Sequence, residues 1–325
     1  MSPRFGAPVA ALDLGTNNCR LLVARPAGIG IRVIDAFSRI VRLGEGLTAT
    51  GALSEEAIER TLDALKICAG KIALRRIDGG RYVATEACRR ATNCREFLGR
   101  VRTEIGLEIE IISTAEEARL VVSGCAPLLN PRIPYALVFD IGGGSTEIVL
   151  VRLEGGSDRR GRRRPHILGS MSLPLGVVTL TDRFGGDVSA ATYRLMVEEA
   201  AEALERFERG YRIRRHIRTG RMQMLGSSGT VTTLAGIHLA LPRYIRALVD
   251  GSSLTFDQIA AVSSHLAGLD LAGRAASPCV GRERADLVLS GCAILDAICE
   301  TWPVGRLRVA DRGVREGILF DLIHG

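Results

Sequence analysis

The sequence holds little lysine, few aromatic residues and no long apolar run, and each shortage narrows what the chain can be. Of 43 basic side chains only two are lysines, Lys66 and Lys71, so the net charge of +7 and the isoelectric point near 9.2 rest almost wholly on arginine. Arginine presents planar, paired donors that suit phosphate oxygens, so the charge permits a polyanionic substrate without choosing one. Aromatic residues are 4% of the chain and never interleave with a basic stretch, which speaks against a nucleic-acid-binding protein. No apolar run approaches the roughly 20 residues that cross a bilayer. The opening MSPRFGAPVAALDLG meets a turn motif without a small-residue cleavage site, so a cytoplasmic location with no membrane contact is expected. The eight cysteines form no Cys-x-x-Cys pair and the five histidines are scattered. Zinc ligation and a Ser-His-Asp triad therefore have no support, and reduced, buried thiols are expected.

What is present is enough apolar material, 46% of residues, to fill the cores of two ordinary domains. A weak internal repeat organises it: DLGTNNCRLLVA (Asp13 to Ala24) overlays DIGGGSTEIVLV (Asp140 to Val151) without a gap, and apolar runs flank both copies. The pattern reads as strand, Gly-rich turn, strand in a duplicated domain. Ser54 caps a helix with Ile58, Leu62, Leu65, Ala69 and Ile72 on one face, and Glu55 and Glu56 complement its dipole. Ser189 opens a second, with a stripe of Tyr193, Val197, Ala200, Leu204 and Phe207. Each half thus reads β-β-β-α-β-α. Short strands are expected at 81–84, 108–112, 222–226 and 307–310, and late helices over 255–267, where Thr255 and Gln258 form a capping-box pair, and 282–301. Pro127 to Pro134 marks the break, giving an N-terminal domain over 1–126 and a C-terminal one over 127–325 whose final helix can pack back on the first. The charged run Glu154 to Pro165, with Arg159 to Arg164, reads as a solvated hairpin loop or as a phosphate-gathering patch.

A turn in which Asp precedes glycines and hydroxyl or amide residues sets successive backbone N–H groups around an anion, while the carboxylate can hold a hydrated metal. One such turn is a weak signal. Two at equivalent places in duplicated halves could hold a phosphate chain with magnesium between them. A third loop, Gly226-Ser227-Ser228-Gly229-Thr230, joins a strand to a helix, where its N–H groups would point at phosphate or a hydroxyl would simply cap the helix. In STAEEARL, Ser113 and Glu116 fit a capping box, whereas Glu117 has no such structural job. A carboxylate there could complement the helix dipole, or take a proton from water attacking phosphorus.

These segments carry a resemblance. DLGTNNCR, RLGEGL (Arg42 to Leu47), ATEACRRATN (Ala84 to Asn93), ISTAEEARL (Ile112 to Leu120), DIGGGSTE (Asp140 to Glu147), GSSGT and RGVREG (Arg312 to Gly317) follow one another as in the exopolyphosphatase and guanosine pentaphosphate phosphohydrolase family. The resemblance covers essentially the whole chain. It implies an α/β fold of two ribonuclease-H-like, actin-type (ASKHA) domains around an interdomain cleft, with Mg²⁺ as cofactor and release of a terminal phosphate from inorganic polyphosphate. It implies Glu117 as the catalytic glutamate, Asp140 and Glu147 as acidic residues near the metal and the attacked phosphate, and Asp13 as the first-domain acidic turn at the metal. Thr16, Asn18, Arg20, Arg89, Gly142, Gly143, Gly144, Ser145, Ser227, Ser228, Gly229 and Thr230 fall where the family contacts phosphate oxygens. The same resemblance admits a homodimer. Three departures stand out: Thr16 replaces a common serine, Asn18 the usual next hydroxyl, and Thr114 and Ala115 a glycine before the paired glutamates. Longer members carry further C-terminal helical domains without a counterpart here, which speaks against processive gripping of very long chains.

Rival readings share much of this machinery. Removal of the 5′ terminal phosphate of guanosine pentaphosphate needs the same phosphate groups plus a base-binding surface, and no obvious aromatic platform lies near the motifs. An actin-like sugar or acetate kinase shares the Asp turns, but the EEAR and GSSGT segments speak against it. A non-catalytic sensor would bind guanosine tetraphosphate or pentaphosphate without turnover.

Overall fold

The computed structural model describes residues 6–28, 30–157 and 163–324, with the side chains of 154–157 and 163–164 outside that description. Contacts divide the chain into two compact units, Met1–Gly124 with Gly313–Gly325, and Cys125–Arg312.

In the first unit the apolar repeat becomes β1 (Val9–Leu14) and β2 (Asn18–Ala27), followed by β3 (Gly30–Ile40), β4 (Gly79–Ala84) and β5 (Glu110–Ile111). The sheet order is β3-β2-β1-β4-β5. The first three strands form an antiparallel meander, while β4 and β5 run parallel to β1. β1 is buried at every position but Asp13, as expected of a central strand. The Glu55–Arg75 helix packs on β2 and the Val314–His324 helix on β1 and β2, so the last helix belongs to the first unit. A Cβ at Gly317 of that last helix would lie 2.1 Å from the Leu120 carbonyl oxygen, so the helix approaches the Thr114–Cys125 helix at backbone contact.

The second unit repeats the topology with β6 (Tyr135–Ile141), β7 (Thr146–Ser157), β8 (Arg163–Leu173), β9 (Met222–Ser228), β10 (Ser253–Thr255) and β11 (Arg306–Ala310). Its order is β10-β11-β9-β6-β7-β8. Setting aside the antiparallel edge strand β10, this is again a meander with two further strands parallel to its first. Each unit is thus a ribonuclease-H-like, actin-type domain. The hairpin loop between β7 and β8 is where Arg159 to Arg164 was expected; residues 158–162 lie outside the described residues.

Three caps form as the sequence indicates. Ser54 accepts from the Ala57 N–H at 3.2 Å, Ser189 from the Thr192 N–H at 3.1 Å, and Thr255 exchanges bonds with Gln258. Two elements differ. β5 is two residues rather than five, and the helix expected over 282–301 begins at Val288. The second difference has a tertiary cause. Gly281 takes a left-handed backbone (φ 74°), and the buried Arg274 guanidinium draws the Ala285 carbonyl into a 3.2 Å bond, so 281–287 turns instead of winding. The eight cysteines are all free, as expected.

One buried acid in the second unit should be visible in stability. Asp296 accepts from the Tyr193 hydroxyl at 2.6 Å and the Ser263 hydroxyl at 3.2 Å. Burial nevertheless pushes its pKa up to about 6, those two hydrogen bonds only opposing the rise. A carboxyl raised in the folded state binds more protons folded than unfolded. It therefore makes stability fall as pH rises from about 4 to about 6. Denaturant titrations of parent and Asp296→Asn across that range should diverge by at most about 3 kcal/mol, the variant gaining as pH rises. Parallel curves would show that the folded protein does not hold this proton.

Candidate active site

The chemistry-bearing segments leave the carboxyl ends of the parallel strands, where α/β sheets commonly place ligands. In the first unit they are the turn after β1, the segment Thr85–Arg89 after β4 and the segment Ser113–Glu117 after β5. In the second they are Gly142–Ser145 after β6, Ser227–Thr230 at the end of β9, and Asp311–Arg312 after β11.

The two hairpin turns are built alike. The Gly15 N–H donates to the Asn18 carbonyl at 2.9 Å, and its counterpart, the Gly142 N–H, to the Ser145 carbonyl at 2.9 Å. Backbone donors from the next segment then take the turn carbonyls. Gly44 donates to Thr16 (2.9 Å) and Val41 to Asn17 (2.9 Å), while Val177 donates to Gly142 (3.0 Å) and Val178 to Gly143 (2.8 Å). With the carbonyls so fixed, the N–H groups of Thr16, Asn17, Gly143 and Gly144 have no partner among the described residues. An array of this kind is an anion cradle.

Each loop also rests against a glycine. A Cβ on Gly44 would lie 2.3 Å from Thr16 Cγ2, one on Gly176 2.4 Å from the Gly143 carbonyl, and one on Gly291 2.1 Å from Thr230 Oγ1. Gly44 lies within the RLGEGL segment, which accounts for that motif. Gly176 and Gly291 carry no sequence signal, because each is constrained by a neighbour far off in the chain, the Gly143–Gly144 backbone for one and the Thr230 side chain for the other.

Behind these similar turns the charges differ. Cross-strand register sets Asp13 opposite Arg20 and Asp140 opposite Glu147. Burial raises the Asp13 pKa, with Arg20 and Arg315 pulling it down and Glu316 adding to the rise. Ser145 and Ser172 both donate to Glu147 Oε1, at 2.7 and 2.9 Å, and fix that buried carboxylate. The Asp140–Glu147 pair suits a Mg²⁺ ion, which keeps several waters and takes one or two carboxylates. The described residues hold no group of three or more His, Cys, Asp or Glu able to cage a metal. Asp13, expected at the metal, faces Arg20 across the hairpin. In the same turn Asn17 and Asn18 each bury a side-chain oxygen that has no partner among the described residues, an acceptor that a donor or a cation would satisfy. Asn17 was not among the residues expected from sequence.

Glu116 and Glu117 are sorted as their positions suggest. The Glu116 N–H donates to Ser113 Oγ at 3.2 Å, but its carboxylate binds Arg81 at 2.7 Å and Arg119 at 2.8 Å instead of closing the box. Arg119 above all, against opposing burial and with help from Arg81, holds Glu116 down at about 2. Glu117, 7% exposed, instead accepts from Arg89 Nη1 at 2.8 Å. Arg89, expected at phosphate, is thus attached to the candidate catalytic carboxylate.

The GSSGT loop serves as the strand-to-helix connection. Ser227 donates to the Arg312 carbonyl at 2.6 Å, and Ser228 accepts from the Val231 N–H at 2.9 Å as the cap of the Gly229–His238 helix. Both hydroxyls have structural roles, so the helix N-terminal N–H groups are what this loop offers an anion. The Arg284 guanidinium lies 3.8 Å from a Cβ on Gly229, a basic group at that helix start which sequence reading missed.

Comparison with known proteins shows the family of the chain. The model of the Ppx/GppA phosphatase family matches residues 22–325. A guanosine-5′-triphosphate,3′-diphosphate pyrophosphatase of Aeromonas hydrophila subsp. hydrophila is 34% identical over 316 residues; the match takes in 97% of this chain, which spans 59% of that relative's length. The crystal structure of the Aquifex aeolicus Ppx/GppA family member is 30% identical, covers 97% of both chains and superposes with a TM-score of 0.77. That of an exopolyphosphatase-like protein is 29% identical over 98% of both, with a TM-score of 0.84. The duplicated domain, the doubled turn and the match along nearly the whole chain have one reading: this protein belongs to the Ppx/GppA phosphatase family.

Proposed function

We propose that this chain is an exopolyphosphatase, hydrolysing the terminal phosphate of inorganic polyphosphate with Mg²⁺. The observation that carries the reading is the buried Glu117, held by Arg89 at the same sheet end as a turn of unpartnered N–H donors. Phosphoryl transfer to water needs chiefly positioning and charge stabilisation. In the first unit the N–H groups of Thr16 and Asn17, with Arg20, are the donors for phosphate oxygens; in the second, those of Gly143, Gly144 and the Gly229–His238 helix start are. Glu117 takes a proton from water as the water oxygen bonds to the terminal phosphorus and the anhydride P–O bond breaks, the shortened chain leaving. Mg²⁺ held by Asp140 and Glu147 would neutralise phosphate charge as a Lewis acid.

The test is phosphate release with Mg²⁺ from long-chain polyphosphate, guanosine pentaphosphate and ATP. Release from polyphosphate is expected. Release from the nucleotide alone would move the assignment to guanosine pentaphosphate hydrolysis, and nucleotide binding without turnover would make the chain a sensor.

Hydrolysis of guanosine pentaphosphate is a second reading with its own observation. Tyr244, 38% exposed, donates to Asp311 at 2.7 Å, and its hydroxyl also meets the side chain of Thr232, two residues past the GSSGT loop. An aromatic face therefore lies near the loop, where sequence reading found no platform. On this reading Tyr244→Ala should raise KM for guanosine pentaphosphate about tenfold, a stacked base contributing roughly 1–3 kcal/mol, and leave polyphosphate turnover unchanged. Equal effects on both substrates would exclude a base platform.

A further inference from the structure

We propose that Glu86 is a positioning residue for this hydrolysis: through Arg89 it orients the Glu117 carboxylate and shares the guanidinium charge, leaving Glu117 basic enough to take the water's proton. The proposal rests on the reading of Glu117 as that base. Glu86 Oε2 accepts from Arg89 Nε at 3.1 Å and Nη2 at 2.9 Å. Arg89 Nη1 donates to the Ile112 carbonyl at 3.0 Å and to Glu117 Oε2 at 2.8 Å. Four of the five guanidinium N–H donors are thus assigned, which fixes the plane presented to Glu117.

The electrostatic argument follows from counting charges. A carboxylate beside a single arginine loses basicity, its pKa falling by about 1–3 units. Here two carboxylates share one guanidinium, and the three side chains are 9–16% exposed, where water screens little. These three side chains together carry one net negative charge. Glu86 opens the short Glu86–Arg90 helix, so dipole complementation would explain its presence there. It does not explain a carboxylate turned back onto Arg89. Other charges on the surrounding elements bind one another: Arg81 joins Glu110 and Glu116, and Arg119 joins Glu116 and Asp321. Further titratable groups of this region are the buried Cys88 and Cys94 thiols, and Arg315 and Glu316 on the last helix, which packs against the Glu117 helix.

Glu86→Gln keeps the size and an acceptor while removing the charge. With melting temperature retained, it is expected to move the acid limb of kcat/KM down by about one pH unit, and to lower kcat roughly threefold to tenfold without raising KM. Glu86→Asp should recover part of both. A readout independent of turnover is the ¹³C-carboxyl titration of Glu117, assigned by its absence in Glu117→Gln, whose midpoint should fall with the acid limb. An unmoved titration and acid limb in folded Glu86→Gln would overturn the proposal and leave a helix-start acid. If Glu86→Gln does not fold, Glu86→Asp decides by the same two measurements. Full turnover in Glu117→Gln would overturn the reading of Glu117 itself, and the proposal with it. A dead Glu117→Gln beside a normal Glu86→Gln would overturn the proposal alone.

Discussion

Glu117→Gln should fold as the parent does and release phosphate from polyphosphate about 10²- to 10⁴-fold more slowly, the span that positioned general bases contribute. The structure favours a clean result. Glutamine fills the same buried space, and its amide oxygen can still accept from Arg89 Nη1. Arg89 keeps its two bonds to Glu86 and one to the Ile112 carbonyl, so no charge is stranded. What disappears is the site that receives the water's proton. Initial rates at saturating substrate, read beside the melting temperature, separate chemistry from folding. The acid limb of the parent's pH profile should vanish in the residual activity of the variant. Near-normal turnover in the folded variant would reduce Glu117 to a dipole-complementing residue of the Thr114–Cys125 helix.

Arg20 and Glu147 show how far the doubled turn was readable. Overlaying DLGTNNCR on DIGGGSTE already sets Arg20 beside Glu147, and the observed register sets each across the hairpin from its Asp. Local rules sufficed because each hairpin folds on itself: alternation fixes the strands and the glycines permit the turn. The same holds for the caps at Ser54, Ser189 and Thr255, whose partners lie three residues on. On the proposed reading the two turns divide the labour for a physical reason. The first-unit turn pairs its acid with a cation and suits phosphate, whereas the second-unit turn pairs two acids and suits a metal.

What was not readable depends on contacts between segments far apart in the chain. The family resemblance set Arg89 at phosphate; its bond to Glu117, 28 residues away, has no local sequence signal, because the parallel pairing of β4 with β5 brings the two together. The late start at Val288 escaped notice for the same reason. Glu283, Arg284 and Ala285 are good helix formers, but the left-handed Gly281 precedes them and the buried Arg274 guanidinium holds the Ala285 carbonyl. Tyr244 lies in a loop without a motif, and is brought to the GSSGT helix by Asp311 at the end of β11.

Gly176→Ala should lower turnover about 100-fold, the cost of misplacing a catalytic array by roughly 1 Å, and destabilise the protein by about 1–3 kcal/mol, as overpacking does. Gly176 has an extended backbone, φ −134° and ψ 174°, which alanine adopts freely, so strain in the residue is not the cause. The added methyl would sit 2.4 Å from the Gly143 carbonyl carbon and oxygen and 2.6 Å from the Gly144 nitrogen. These are backbone atoms of the anion cradle and cannot rotate aside. Nor can the Val177–Phe184 helix withdraw cheaply, since its first N–H groups hold the Gly142 and Gly143 carbonyls. The turn must therefore shift, and with it the donors of Gly143 and Gly144 and the Ser145 hydroxyl that fixes Glu147. Gly70→Ala is the contrasting variant. Nothing lies within 4 Å of its added methyl, inside the Glu55–Arg75 helix, so alanine should stabilise by about 0.5–1 kcal/mol with turnover intact. Measured together by melting temperature and phosphate release, the pair separates a glycine that shapes the site from one that merely weakens a helix. Full activity in folded Gly176→Ala would mean that the Gly142–Ser145 turn does not hold the substrate.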